Sequence, residues 1–360
     1  MTQPLAPGSV IGIFGGGQLG RMLAMAGAGL GFDIHVYDPD RDCPAGRVAT
    51  RICAAPWDDM GAVQSFAARC DAVTFEWENV PAAALDAAQS RTPVRPGRKS
   101  LELTQDRLTE KTFIRDAGGG TVEFAEVGSL AELETAVEKI GRPCILKTRR
   151  FGYDGKGQAV IRDETDLAAA WAEIGENPAI LEAFAPFQRE LSIVAARTLT
   201  GEVAAYPLAE NDHSGGILRV SKAPALVSPG LQSQALDIAT AIGNGMEHVG
   251  VFAVELFDVD GGLVVNEIAP RVHNSGHWTM DACACSQFEQ HVRAVAGWPL
   301  GPCSPHSACE MINLIGEDVV PWRALAADYS ARLHLYGKRT VRPGRKMGHI
   351  NRISPLPRQS

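Results

Sequence analysis

Residues 9 to 40, SVIGIFGGGQLGRMLAMAGAGLGFDIHVYDPD, restrict the fold more than any other stretch. Residues 10 to 14 read as a strand, a glycine turn follows, Leu19 to about Gly29 reads as a packed helix, and Ile34 to Tyr37 as a second strand. That order is the building unit of a parallel α/β sheet. Gly15, Gly17 and Gly20 stand at GxGxxG positions and Asp38 closes the second strand, which taken literally is a dinucleotide fingerprint. Its physical content is narrower: a tight turn delivers a helix N-terminus able to receive an anion. An NAD-dependent dehydrogenase is one reading of this segment.

A third strand, DAVTFEWENV, ends with Glu76 and Glu78 before a turn at Pro81. Carboxylates at the carboxyl edge of a parallel sheet sit where such sheets bind ligands; acids turned to solvent would give the same pattern. Near residue 90 the alternation stops at SRTPVRPGRKS, and a domain boundary is expected just beyond it, before the helical stretch LELTQDRLTEKTFIRDAG.

A chain of 360 residues exceeds one ordinary core, so two or three domains are expected. Apolar content of 45% and charged content of 21% are those of a globular protein, and a formal charge of -8 argues against a nucleic-acid partner. Eight scattered cysteines include one close pair, Cys283 and Cys285, with no second pair to complete a zinc site. They read as reduced thiols. The opening MTQPLAPGSV has no basic or apolar leader pattern, and no apolar run reaches membrane length, so a cytoplasmic protein is expected.

The central region reads as a strand from TVEF, a helix over about 129 to 140, a strand over 144 to 148, a loop, a strand over 158 to 162 and another helix. The loop, RRFGYDGKGQ, sets Gly152, Gly155 and Gly157 among Arg149, Arg150 and Lys156. Glycine lets backbone amides approach a ligand closely and the cations supply charge, so a flap over polyphosphate is the functional reading, although the P-loop pattern is absent. An exposed hairpin is the plain alternative. Lys147 lies inside the apolar strand CILKT, where an ammonium is costly unless it snorkels out or meets a phosphate. The connection within PAILEAFAPFQRELSIVAART carries Glu182 and Glu190, which could accept from ribose hydroxyls or form surface salt bridges.

VFAVELFDVDGGLVVNEIAPR gives the strongest geometric signal: two strands flanking DGG, a hairpin turn. With the turn centred on Gly261, Glu255 opposes Glu267, and alternation puts both acids on one face with Phe257, Val259, Leu263 and Val265. Opposed like charges are destabilising. A Mg²⁺ ion, which takes one or two carboxylates and completes its shell with phosphate and water, resolves the conflict. Asn266 falls on the opposite face by the same alternation. The following loop carries Arg271, His273, Asn274, Ser275 and His277. The two histidines lack a third zinc ligand and Ser275 lacks a nucleophile elbow, so substrate or anion contacts are the expected use. From about 301 a small strand-rich unit follows, in which Lys338, Arg339, Arg342, Arg345 and Lys346 cluster. A basic patch of this size suits one phosphate monoester; a solvated basic face is the alternative.

The order GIFGGGQLGRM, TFEWENV, QDRLTEK, ILKTRRFGYDGKGQ, VELF…NEIAPRVHNSGHWT and YGKRTVRPGRKMGHIN resembles the N5-carboxyaminoimidazole ribonucleotide synthetase family of the ATP-grasp superfamily, from about residue 10 to 352. The resemblance implies an α/β fold with a Rossmann-like preATP-grasp domain over 1–105, an ATP-grasp domain over 106–300 with a mobile part at about 141–208, and a small C-terminal domain over 301–360. It implies an ATP-dependent carbon–nitrogen ligase of purine biosynthesis that carboxylates 5-aminoimidazole ribonucleotide with bicarbonate. ATP and Mg²⁺, a homodimer, and a product passed to a separate mutase come with it.

Carried onto this sequence, the resemblance implies ATP contacts from Arg107, Lys147, the loop Gly152, Tyr153, Asp154, Gly155, Lys156, Gly157 and Gln158, the hinge Glu182, Ala183, Phe184 and Ala185, and Glu190, His213, Asn266 and Glu267. Glu255 and Glu267 would hold Mg²⁺. The ribotide would lie against Gln18, Leu19, Glu76 or Glu78, Tyr153, Lys156 and Arg271, with its phosphate on Lys338, Arg345 and Lys346. Arg271, Asn274 and Ser275 would orient bicarbonate or carboxyphosphate, beside Lys147. A formate-dependent glycinamide ribotide transformylase shares this plan and is the nearest rival; a catalytically silent nucleotide-binding scaffold is another.

Overall fold

The computed structural model describes residues 3–152 and 156–357. Tyr153, Asp154 and Gly155 of the flap lie outside the described residues.

The opening unit is a parallel sheet of β1 (Val10–Phe14), β2 (Asp33–Tyr37), β3 (Arg51–Cys53) and β4 (Ala72–Phe75), in the order β3-β2-β1-β4. The helix Gln18–Gly29 crosses over from β1 to β2 as expected. The short β3, with no apolar run to reveal it, makes the strand at Phe75 the fourth in the chain. That strand ends at Phe75, so Glu76 and Glu78 follow on a loop past the carboxyl edge. The helical stretch anticipated over 101 to 118 comes as two helices, Arg98–Thr104 and Arg107–Asp116. Asp106 divides them: its carboxylate accepts from the amides of Leu108 and Thr109, an N-cap that starts a new helix.

A second sheet, antiparallel, is built from β5 (Phe124–Val127), β6 (Cys144–Thr148), β7 (Gln158–Ile161) and β8 (Ala179–Ala183), in the order β5-β8-β6-β7. Helices Leu130–Ile140 and Leu167–Glu173 cover one face, packing Leu133, Val137 and Trp171 onto Leu146, Ile161 and Leu181. The expected mobile part, 141–208, is offset from this unit. Its last segments, β9 (Arg189–Arg197) and β10 (Val203–Ala205), belong to the third sheet.

That large sheet continues through β11 (Ala209–Ser214), β12 (Ile217–Ala223), β13 (Gly250–Val259) and β14 (Gly262–Ala269) to β15 (Ala308–Ile315), β16 (Ala331–Leu335) and β17 (Lys346–Ser354). Its order is β14-β13-β9-β11-β12-β15-β17-β16, with β10 beside β9. The C-terminal strands therefore extend the central sheet, Val220 pairing with Ile312 and Ala223 with Cys309. One apolar core runs from Ile11 and Leu23 of the opening unit to Val251, Trp278, Phe288 and Met311. Burial of each large side chain in it contributes roughly 2–3 kcal/mol. Polar bonds reinforce this junction: the His291 ring, accepting from the Val251 amide at Nδ1, carries its proton at Nε2 and donates to Thr74 Oγ1 at 2.7 Å. A cleft of about 410 Å³ opens where the three sheets meet.

Candidate active site

The first glycine loop does not face that cleft as an anion cradle. Glu76 fills it. Its carboxylate accepts from the amides of Gly17 at 2.8 Å and Gly20 at 3.3 Å, at the start of the first helix. Asp38 accepts from Gly16 at 2.7 Å. The helix N-terminus already holds an anion, supplied by the chain itself. A Cβ at Gly17 would stand 2.7 Å from Glu76 Oε1 and one at Gly16 would overlap Cys43 Sγ, so these glycines admit the protein's own side chains. The dinucleotide reading falls with this observation. So does Glu76 as a ribotide contact, since both its oxygens are engaged. Glu78, by contrast, lines the cleft and meets Arg271 at 2.5 Å. Gln18 and Leu19 line the same wall.

The hairpin pairs Glu255 with Glu267, as expected, but by another route. Its turn is the tight pair Asp260–Gly261, both at positive φ, which aligns Val259 with Gly262 and Leu256 with Val265. A β-bulge between that register and Glu255 inserts Asn266 and restores the opposition of the two acids. The bulge corrects two expectations. Leu263 and Val265 face the core with Leu256, not the acids, and Asn266 joins Glu267 and Phe257 at the cleft.

Burial and the neighbouring Glu267 push Glu255 up to about 8, while Arg107, 3.1 Å from Glu267, holds Glu267 below the usual carboxylate range against its own burial. Without a cation, protonation of Glu255 relieves the repulsion between the two carboxylates. The oxygen donor set fits Mg²⁺. Among the described residues no cluster of three His, Cys, Asp or Glu could hold a metal ion, so phosphate and water would have to complete its shell.

Across the cleft, Lys147 neither snorkels nor stands unpaired. Its ammonium is 2.7 Å from Glu182. Glu182 lies on β8, not on the connection after it, and is buried. Burial pushes its carboxyl up, but Lys147 and then Lys111 bring it down to about 2. Of the expected hinge, the amides of Ala183 and Phe184 are already given to the carbonyls of Glu123 and Pro143, and Ala185 is buried. Glu190, the second residue of β9, meets His213 Nδ1 at 2.8 Å; both line the cleft. Burial lowers the His213 pKa, yet Glu190 and Glu255 leave it raised overall. Arg149, Gly152 and Gln158 bring the flap's described ends to the same cavity, whereas Lys156 is exposed.

The fold has known relatives. The chain matches the ribonucleotide synthetase preATP-grasp domain over residues 9–105, the ATP-grasp domain over 112–288, and the phosphoribosylaminoimidazole carboxylase C-terminal domain over 309–358. It is 49% identical to the N5-carboxyaminoimidazole ribonucleotide synthase of Brucella melitensis, covering 98% of both chains. The chain belongs to the N5-carboxyaminoimidazole ribonucleotide synthetase family. It also superposes on that enzyme's ADP complex from Staphylococcus aureus with a TM-score of 0.94 at 36% identity, covering 98% of this chain and 95% of that one. For the Aspergillus clavatus synthase with ADP and 5-aminoimidazole ribonucleotide, the TM-score is 0.90 at 30% identity, covering 97% and 94%.

In this synthetase-family chain the loop after β14 divides into cleft and support. Asn274 lines the cleft with both amide atoms buried and lacking a hydrogen-bond partner among the described residues. Ser275 does not reach it. Its hydroxyl lies behind His273, 2.8 Å from Ser192 Oγ and 2.9 Å from His273 Nδ1, so it orients the ring instead of bicarbonate. The Ser275 amide also donates to Nδ1, which leaves the His273 proton on Nε2, 3.3 Å from Glu255. His277 is buried among Phe288, Tyr336 and His349, a core residue and not a substrate contact. In the tail, Lys346 lines the cleft; Lys338 donates to the Lys346 carbonyl and Arg345 to that of Thr340. Arg339 pairs with Asp42 on the surface.

Sequence reasoning used only Arg107 from QDRLTEK. Glu110 and Lys111 are buried beside it and grip β14: Glu110 accepts from the Ile268 amide at 2.6 Å, and Lys111 donates to the Asn266 carbonyl at 2.7 Å. The signal was present, because charged residues at 107, 110 and 111 share the helix stripe that Ile114 buries. Phe187 is likewise unforeseen: it stacks at 4.6 Å on Phe257, which itself lines the cleft.

Proposed function

We propose that the protein carboxylates 5-aminoimidazole ribonucleotide with bicarbonate at the expense of ATP, giving N5-carboxyaminoimidazole ribonucleotide, ADP and phosphate in purine biosynthesis. The observation that carries this reading is the facing of two sets across one cleft: the opposed Glu255 and Glu267, with Arg107 on Glu267, on one side, and Lys147 on the other. Relatives named for this reaction, one of them captured with ADP and the ribotide, supply the substrate class.

In this reading Arg107, Lys147, Glu190, His213 and the flap hold ATP, with its base against Phe257. Glu255, Glu267 and Asn266 would hold Mg²⁺, which supplies Lewis-acid neutralisation of the transferring phosphoryl group. A bicarbonate oxygen attacks the γ-phosphorus and ADP leaves, forming carboxyphosphate. The ribotide's exocyclic amine then gains the C–N bond, directly or through CO₂, as phosphate departs and the nitrogen loses a proton. Bicarbonate is a poor electrophile, so the protein's share of the work is positioning and charge neutralisation. Lys147 leaves Glu182 for phosphate oxygens. Arg271 and Asn274 orient the carboxylate carbon, Glu78, Gln18 and Leu19 bound the ribotide, and Lys346, braced by Lys338 beside Arg345, meets its phosphate. Closure of the flap excludes water from the mixed anhydride. A cytoplasmic homodimer that hands its product to a separate mutase completes the reading.

The test is ADP release with each acceptor, 5-aminoimidazole ribonucleotide or glycinamide ribonucleotide, with and without bicarbonate or formate. Release that requires the aminoimidazole and bicarbonate together supports the proposal. Formate-dependent release with the glycinamide overturns it.

A further inference from the structure

Lys111 is a buried cation that the reaction above does not use. Its side chain is 1% exposed. It donates to the carbonyls of Asn266 at 2.7 Å and Val265 at 3.3 Å, on either side of the peptide where the hairpin bulges. Its ammonium also stands 3.6 Å from Glu182 Oε2, the oxygen that binds Lys147 at 2.7 Å. The other oxygen, Oε1, is buried with no hydrogen-bond partner among the described residues. Glu110, the neighbouring carboxylate on the same helix, accepts from the Ile268 amide.

Two lysines thus share one carboxylate, and only one of them has another duty in the cleft. Lys147 lines the cleft, whereas Lys111 is held by the backbone of β14. If a triphosphate draws Lys147 away, Glu182 is left as a buried charge, and a buried charge that loses its partner is strongly disfavoured. A second cation already in place removes that penalty, and the unbonded oxygen leaves Glu182 free to turn toward it.

We propose that Lys111 is a positioning residue for ATP: it takes over the Glu182 carboxylate when Lys147 moves to the phosphates, while its carbonyl bonds keep the bulge that presents Asn266 and Glu267 to the cleft. This rests on the reading that Lys147 binds phosphate. It links the small sheet that carries Lys147 and Glu182 to the hairpin that carries the acids.

The experiment measures Kd for ADP and for ATP with Mg²⁺ by calorimetry, kcat and KM, and melting without nucleotide, on Lys111→Met, Lys147→Met, Glu182→Gln and the Lys111→Met/Glu182→Gln double variant. Lys111→Met is expected to raise Kd and KM for ATP about tenfold or more, with a smaller fall in kcat. Removing the stranded carboxylate should reverse this, so the double variant binds ATP more tightly than Lys111→Met alone. A double variant that binds no better than Lys111→Met overturns the proposal, since it leaves Lys111 as a backbone prop only. If Lys111→Met does not melt cooperatively, Lys111→Gln, which keeps a neutral donor for the carbonyls, replaces it with the same expectations. Unchanged ATP affinity in Lys147→Met would sink the functional reading itself; a loss there with none in Lys111→Met sinks this proposal alone.

Discussion

Two loops in this chain look alike on paper. Gly15 to Gly20 and Gly152 to Gly157 both follow an apolar strand and both offer flexible backbone to an anion. In the fold they part company. The first is closed by Glu76 and Asp38, which accept from Gly16, Gly17 and Gly20. The described ends of the second open on a cleft with Lys147, Arg149 and the paired glutamates. A glycine turn at a helix N-terminus thus states a capacity for an anion, and a distant carboxylate decides whether that capacity is left for a ligand.

That contrast would break most clearly if the carboxylates of the two places behaved alike. Glu255→Gln and Glu267→Gln should each lower ATP-dependent turnover by about a thousandfold or more, an oxyanion-scale loss, with the melting temperature kept. Near-normal turnover in either variant would remove the metal site.

Glu76→Ala should do the reverse. Losing a buried acceptor from two amides costs about 2–4 kcal/mol, seen as a lower denaturant midpoint, while turnover per folded molecule stays within a few-fold. A stable but inactive Glu76→Ala would return Glu76 to the ribotide site.

Protonation sharpens the comparison further. Burial raises the carboxyl of Glu76, and burial with Glu267 raises Glu255 to about 8. A carboxyl raised above its unfolded value favours the folded state at low pH, and that contribution is lost as pH rises through the folded value. The Glu255 contribution to ligand-free stability should therefore fade from about pH 5 toward pH 9, read as the pH dependence of the difference in denaturant midpoint between wild type and Glu255→Gln. Nucleotide with Mg²⁺ should displace the Glu255 proton and leave Glu76 as it was. Calorimetry at pH 7 in buffers of different ionisation enthalpy should then report release of about one proton, absent from Glu255→Gln.

Strands and helices with clear periodicity were readable, from Val10–Phe14 to the hairpin, because period and turn chemistry are local. The opposition of Glu255 and Glu267 was reached from a turn centred on Gly261. The real turn is one half-step shorter, and an inserted Asn266 cancels the difference. A bulge leaves no local mark when both registers bury apolar residues, so the faces of Leu263, Val265 and Asn266 were misread. Glu76, Ser275 and Glu182 were misjudged for a different reason: each is spent on a partner remote in sequence, which spacing does not reveal. Lys111 was legible in principle, as a charge on a buried stripe.

The seam between β12 and β15 has a further consequence for anyone cutting the gene into pieces. Removing the last sixty or so residues would not release a tidy lobe. It would bare a row of unsatisfied amides and carbonyls along Ile217–Ala223, a template for other chains, so the shortened protein should precipitate before it could be assayed.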